Sequence, residues 1–222
     1  MLAQFVLFDG FDPLDVIAPY EVLRATDAVA DHIIDVELVT AEGPREVPSG
    51  LAPLTLRATA RLDPHRADLV VVPGAAGRLP DDTEPADTEP ADDAIPMILS
   101  RALATDLPAL LAQALGRDGT TVATVCGGSA LLAMAGLLEG RPATTHHLGM
   151  DLLGATGAVP VDARVVDDGD LVTAAGVTSG LDLGLYLLER RFGAQTALAV
   201  ERLLAYERRG TTWRRPTTPT AV

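Results

Sequence analysis

Two short apolar runs stop abruptly at glycine-bearing turns. Asp68-Leu69-Val70-Val71-Val72-Pro73 is stopped by Pro73-Gly74, with Ala75 next, and Thr120 to Val125 ends in Cys126-Gly127-Gly128. Such runs, bounded by turn formers, read as strands buried on both faces. A helical stretch near Leu107 to Leu115 separates them, and two buried strands joined through a helix make a parallel β-α-β unit. The same alternation begins earlier. Phe5 to Phe8 reads as a first strand, and Val16, Ile17, Tyr20 and Leu23 predict a helix from about Asp15 into the late twenties. Ile33 to Val39 reads as the next strand. Ser129 to Leu138 reads as a helix, and Val161 to Val166 with Leu171 to Ala175 as a hairpin about Asp167-Asp168-Gly169-Asp170. Two helices close the pattern, one carrying Leu181, Leu185, Leu188 and Phe192, the other Ala199, Val200, Leu203 and Leu204. The chain is therefore predicted to be an α/β protein with a mostly parallel central sheet.

With 222 residues, 48% of them hydrophobic, the chain can bury a sizeable core. Residues 1–208 are expected to form one domain and 209–222 a C-terminal tail, in which Trp213, Arg214 and Arg215 lie among Pro and Thr. Residues 81–93 break the pattern: they hold a tandem Asp-Thr-Glu-Pro-Ala repeat with seven acids and no base, and read as a surface insert. The formal charge is -14, and setting those seven acids aside leaves -7. An acidic balance disfavours nucleic acid and anionic membrane surfaces as partners, because both recruit basic clusters. Met1 to Gly10 lacks the basic and long apolar regions of a signal peptide, and no run of about 18 apolar residues occurs, so a cytoplasmic location is expected.

Chemistry is narrowed by absences. All 17 basic residues are arginine, and neither lysine nor asparagine occurs, which excludes Schiff-base and phosphate-loop lysine chemistry. The single cysteine, Cys126, excludes an internal disulfide or a multi-thiolate zinc site. In an open parallel sheet, ligands bind beyond the carboxyl ends of the strands. Three useful groups fall there: Asp15, the Pro73-Gly74-Ala75 turn, and Cys126. Strand, cysteine, two glycines and helix spell a nucleophile elbow, in which the sulfur faces a helix N-terminus and a lowered thiol pKa is expected.

Ala143-Thr144-Thr145-His146 reads as a short strand that would bring His146 toward Cys126 as base or thiolate counter-ion. A metal site of His146, His147 and Asp151 is disfavoured, since adjacent residues on a strand face opposite ways. Glu21, six residues beyond Asp15, reads as structural; Asp12 as turn chemistry; and Thr178, Ser179 and Asp182 as a helix cap beside the site.

Four motifs in order carry a family resemblance. They are Leu14-Asp15 to Leu23; Val71-Val72-Pro73-Gly74-Ala75; Val125-Cys126-Gly127-Gly128-Ser129 running on through Ala133 to His146; and Ala174-Ala175-Gly176-Val177-Thr178-Ser179-Gly180-Leu181-Asp182. Over about Phe5 to Ala205 the chain resembles the ThiJ/PfpI group of the class I glutamine amidotransferase-like superfamily, most closely its isonitrile hydratase-like branch. The resemblance implies a flavodoxin-like three-layer sandwich, Cys126 as nucleophile, Asp15 as its carboxylate partner, and an oxyanion pocket from the amides of Ala75 and Gly127. It also implies a small uncharged substrate, no metal or organic cofactor, and a homodimer. A redox sensor or stress-response binding protein using the same thiol is the alternative. Gly127 stands where the hydratase branch carries Thr and the PfpI-type proteases carry His, and His146 is followed by His147 and Leu148 rather than the glutaminase His-x-Glu.

Overall fold

The apolar runs form the middle of one sheet because their side chains on both faces are covered: Ala3, Phe5, Val6, Val70, Val71, Val72, Val122, Ala123 and Val125 are all inaccessible to solvent. The structure is a computed structural model that describes residues 1–30, 34–79 and 91–216. The elements run in this order: β1 (Leu2–Val6), α1 (Pro13–Arg24) with a 3₁₀ turn (Ala25–Ala28), β2 (Asp35–Thr40), β3 (Arg45–Pro48), β4 (Thr55–Ala58), β5 (Ala60–Arg61) and β6 (Leu69–Val72). There follow α2 (Ile95–Leu103), α3 (Leu107–Leu115), β7 (Thr121–Val125), α4 (Gly128–Met134), β8 (Pro142–Ala143), a 3₁₀ turn (His147–Gly149) and α5 (Met150–Ala155). The last are β9 (Val159–Pro160), β10 (Val165–Asp167), β11 (Leu171–Ala174), α6 (Ser179–Phe192), α7 (Ala194–Leu203) and β12 (Trp213–Arg214).

Eight strands make the central sheet in the order β12-β10-β11-β7-β6-β1-β2-β5. All neighbours are parallel except β10 and β11. The chain steps from β1 to β2 in one direction and from β6 to β7 in the other. Right-handed crossovers therefore place α1 on one face and α2 with α3 on the opposite face. The order reverses between β1 and β6, and a crevice opens there beyond the carboxyl ends. Register brings its walls level: Val72 lies opposite Thr124, and Val125 opposite Ala174.

Helix α1 is held close to α6 by two glycines. A Cβ on Gly180 would lie 2.9 Å from Pro19 Cδ, and one on Gly184 2.8 Å from Val22 Cβ. That approach fixes the rotation of α1 and turns Asp15 inward. On the same helix Glu21 is exposed and points away from that side.

Several boundaries differ from the sequence reading. Helix α4 stops at Met134 rather than Leu138, because Gly136 adopts φ 74 and ends it. The strand expected from Ile33 is seen from Asp35; Ile33 lies outside the described residues, as do residue 80, residues 81–90 of the acidic insert and 217–222 of the tail. The tail is not wholly solvated. Trp213 and Arg214 pair with Val166 and Asp167, the Arg214 guanidinium lies 5.4 Å from the Tyr186 ring centre, and Arg215 binds Asp168. A carboxylate of the Asp-Asp-Gly-Asp turn thus holds Arg215, and the Tyr186 ring holds Arg214. No single helix among the described residues is long and apolar enough to cross a membrane.

Candidate active site

At the end of β7 the chain reverses at Cys126, which adopts φ 53, the left-handed region that residues with a side chain rarely visit. The Cys126 amide donates to the carbonyls of Ala174 and Ala175, at 3.1 and 2.8 Å, prolonging the β7 to β11 ladder by one residue. Glycine is required on both sides of the crevice. A Cβ on Gly128 would lie 2.3 Å from the Val72 carbonyl oxygen, and one on Gly74 2.5 Å from the Gly127 nitrogen. The β6 turn and the cysteine turn are thus in backbone contact, and Cys126 is only 7% exposed beneath them.

Asp15 reaches the same place from the first turn of α1. Asp12 caps that helix, its Oδ1 accepting from the Leu14 amide at 2.9 Å, and its own amide donates to the Gly74 carbonyl at 2.9 Å. The cap therefore locks α1 to the β6 turn. Asp15 is 0% exposed; its Oδ2 accepts from the Gly74 amide at 2.8 Å, while its buried Oδ1 has no hydrogen-bond partner. Burial, and next the nearby Asp12 carboxylate, hold the Asp15 carboxyl well above the usual range, against the one amide that favours its charged form.

The thiol does not behave as the elbow motif suggested. Burial first, and then the Asp15 carboxylate, push the Cys126 thiol up, while the amides of Gly127 and Val177 pull it down. The expected lowering fails for a physical reason: α4 has only seven residues, and its end cannot offset desolvation of a covered sulfur beside a carboxylate. Both members of the pair thus favour their protonated forms.

The other named residues fall into place around this pair. Ala75 sits on the β6 turn, and a Cβ on Gly127 would meet its nitrogen at 3.8 Å, so the two amides named for an oxyanion pocket belong to facing turns. His146 is not at the end of a strand, since β8 stops at Ala143. Its Nδ1 accepts from the Leu148 amide at 3.3 Å and its ring rests against Gly176. The rings of His146 and His147 lie side by side, 4.2 Å between centres, instead of facing opposite ways. Burial lowers the His146 pKa. Thr178 gives α6 no side-chain cap, and Asp182 instead takes Arg164, Tyr206 and the Arg209 amide. Two groups escaped the sequence reading, the Val177 amide and the Thr145 hydroxyl. Both stand inside the family motifs, but a backbone donor leaves no mark in residue type, and a hydroxyl bound to a distant carbonyl leaves none in local spacing. A cleft of about 360 Å³ lined by Leu69, Thr121, Asp170, Arg190 and Arg191 lies at the opposite, amino-terminal edge of the sheet.

The DJ-1/PfpI family model matches residues 103–190. The "Isonitrile hydratase" of Pseudomonas putida is 37% identical over 203 residues, covering 91% of this chain and 77% of that protein. The chain belongs to the DJ-1/PfpI family. "Protein DJ-1 homolog A" of Arabidopsis thaliana is 39% identical over 88 residues, 39% of this chain and 22% of that protein. Among solved structures, a ThiJ/PfpI family protein from Pseudomonas syringae superposes with a TM-score of 0.75 at 25% identity, covering 99% of this chain and 77% of that one. The DJ-1/PfpI match spans Cys126, Gly127 and His146 but not Asp15 or Ala75, whose place in the site rests on the geometry above.

Proposed function

We propose that this protein is a cofactor-independent cysteine enzyme that adds water to a small uncharged molecule, an isonitrile in the first instance. The observation that carries the reading is the pairing at one sheet edge of Cys126, held at φ 53, with an Asp15 carboxyl whose burial favours its protonated form. An isonitrile carbon accepts both a nucleophile and a proton. The Cys126 sulfur bonds to that carbon while Asp15 gives it a proton, and the thiol proton replaces the one that Asp15 spent. The product of this step is a thioimidate. Water then attacks the same carbon, one water proton going to nitrogen and the other, through Asp15, to the departing sulfur. An N-substituted formamide leaves and the thiol is restored. The amides of Ala75 and Gly127 face the charge that develops during both additions.

Gly127 contributes no hydroxyl, so proton traffic in this reading runs through Asp15 alone. The similarity to the Pseudomonas putida hydratase supports the reaction class. The test is incubation with an alkyl isonitrile, scored by formamide appearance: the native protein is expected to form it and Cys126→Ser to form none. Equal formation by both would overturn the reading.

A second reading, a redox sensor, is supported by the similarity to the Arabidopsis thaliana DJ-1 homologue. Oxidation begins from thiolate, which this burial disfavours, so the enzyme reading stands first. Addition of two oxygens at Cys126 by mild peroxide, without isonitrile turnover, would reverse that order. A homodimer in the cytoplasm is part of the proposal, and sedimentation at micromolar concentration tests the dimer.

A further inference from the structure

The left-handed backbone of Cys126 is fixed on three sides. Its amide is held by the carbonyls of Ala174 and Ala175. The residue is only 7% exposed, and the glycine that follows it packs against Gly74 of the β6 turn. Its carbonyl faces two hydroxyls, Thr145 Oγ1 at 2.8 Å and Ser129 Oγ at 3.3 Å. These two are not equivalent. Ser129 has one proton and lies 2.6 Å from the Thr144 carbonyl, so its donation goes there. Thr145 is then the donor that satisfies the Cys126 carbonyl, and at 2% exposure no water competes for it. The segment that carries Thr145 is itself anchored: the Thr144 amide donates to Thr173 Oγ1 of β11 at 2.9 Å, and Ser129 ties Thr144 to α4.

We infer that Thr145 is a positioning residue for the nucleophile, its hydroxyl clamping the Cys126 carbonyl so that the strained turn keeps the sulfur under the Gly127 and Val177 amides and beside Asp15. The inference rests on the reading of Cys126 as the reactive group, and it assigns to Thr145 no contact with substrate. A strained φ persists only where its surroundings over-determine it, and this hydroxyl is the side-chain constraint placed on the Cys126 carbonyl from outside β7, β11 and α4. Loss of the clamp frees the peptide that follows Cys126 to rotate toward an ordinary φ. That rotation withdraws the sulfur from its two amide donors.

The experiment is the pH dependence of Cys126 alkylation by iodoacetamide in the full chain, for the native protein, Thr145→Val and Thr145→Ser, with isonitrile turnover measured alongside. In Thr145→Val the alkylation midpoint is expected to rise by about one pH unit, equivalent to roughly tenfold slower alkylation at a fixed pH below it. The kcat is expected to fall by about 10- to 100-fold with KM within about twofold, as for misplacement of a reacting group. Serine, which keeps the hydroxyl, is expected to restore both. A folded Thr145→Val protein with the native midpoint and rate would overturn the inference, as would a Ser variant no better than Val. Should Val fail to fold, Thr145→Ala is compared with Ser, and equal midpoints in those two overturn it. If the native protein leaves isonitriles untouched while the alkylation midpoints still separate, the hydration reading fails and the clamp stands.

Discussion

Asp15 Oδ2 lies 2.8 Å from the Gly74 amide, and this is the hydrogen bond that the structure gives the Asp15 carboxyl. Its other oxygen is buried without a partner. An ionised carboxylate seeks several donors, whereas a protonated one with a single acceptor contact leaves its hydroxyl oxygen free to face a neighbour. Burial with one donor therefore favours Asp15 as an acid, and in the proposed reaction that proton is the one delivered beside Cys126.

Stability should record this. The folded-state pKa of Asp15 lies above its unfolded value, near 3.9, so the folded state binds the extra proton and its stability falls as pH rises from about 4 through the folded pKa. Asp15→Asn removes that loss while keeping an oxygen for the Gly74 amide. The variant is expected to be inactive yet more stable at pH 8, by about 1–2 kcal/mol or roughly 3–6 °C in Tm. The gain should vanish near pH 4. Paired thermal melts across pH 4 to 8 check it, and a gain independent of pH would show that burial of the charge is not its source.

The same substitution should loosen the thiol. Asp15 is the largest influence raising the Cys126 pKa after burial itself. With Asn in its place the alkylation midpoint of Cys126 is expected to fall below the native one while turnover is lost. Nucleophile ionisation and proton delivery would then be separated in one variant. A midpoint that stays or rises would place the Asp15 carboxylate too far from the sulfur to act on it.

Gly74 is the point at which the two turns of the site touch. A Cβ there would lie 2.5 Å from the Gly127 nitrogen, 2.9 Å from its Cα and 3.0 Å from Asp15 Oδ2, all but the last being backbone. Gly74→Ala is expected to destabilise by about 1–3 kcal/mol, the usual range for overpacking a closed contact. Activity is expected to fall further than stability, because the displaced Gly127 amide is one of the two donors proposed for the developing charge. Chemical denaturation and formamide assays on one preparation compare the two losses.

The parts of this architecture that were legible in the sequence are those written as runs of residue type. The β6 and β7 strands, the cysteine turn and the convergence of Asp15, Gly74 and Cys126 follow from apolar runs that end in glycine. The short elements β3, β4, β5 and β9 were not legible, and β8 was legible only at Ala143, because two to four residues carry no period and are set by pairing with distant partners. The thiol pKa was misjudged because Cys-Gly-Gly before a helix advertises the helix end, whereas the burial and the neighbouring carboxylate that outweigh it are tertiary. Thr145 stands within a motif, yet its hydrogen bond spans 19 residues to a backbone oxygen and leaves no local trace.

The C-terminal arginines supply the last test. Asp168, whose side chain is only 2% exposed, accepts from Arg141 Nε at 2.7 Å and also binds Arg215, while Arg141 reaches Asp170 at 2.5 Å. One buried carboxylate thus joins the β10 to β11 turn, the residue before β8 and the residue after β12. The two arginines differ in burial: the Arg141 side chain is 21% exposed and that of Arg215 is 54%. Arg141→Ala leaves a buried charge short of its better-buried partner and is expected to cost about 2–3 kcal/mol. Arg215→Ala removes a half-exposed, solvent-screened partner and is expected to cost less than about 1 kcal/mol. Urea midpoints with unchanged slopes measure both. Equal losses would show that the segment after β12 is held as firmly as the turn it covers, and that the tail is an integral edge of the sheet.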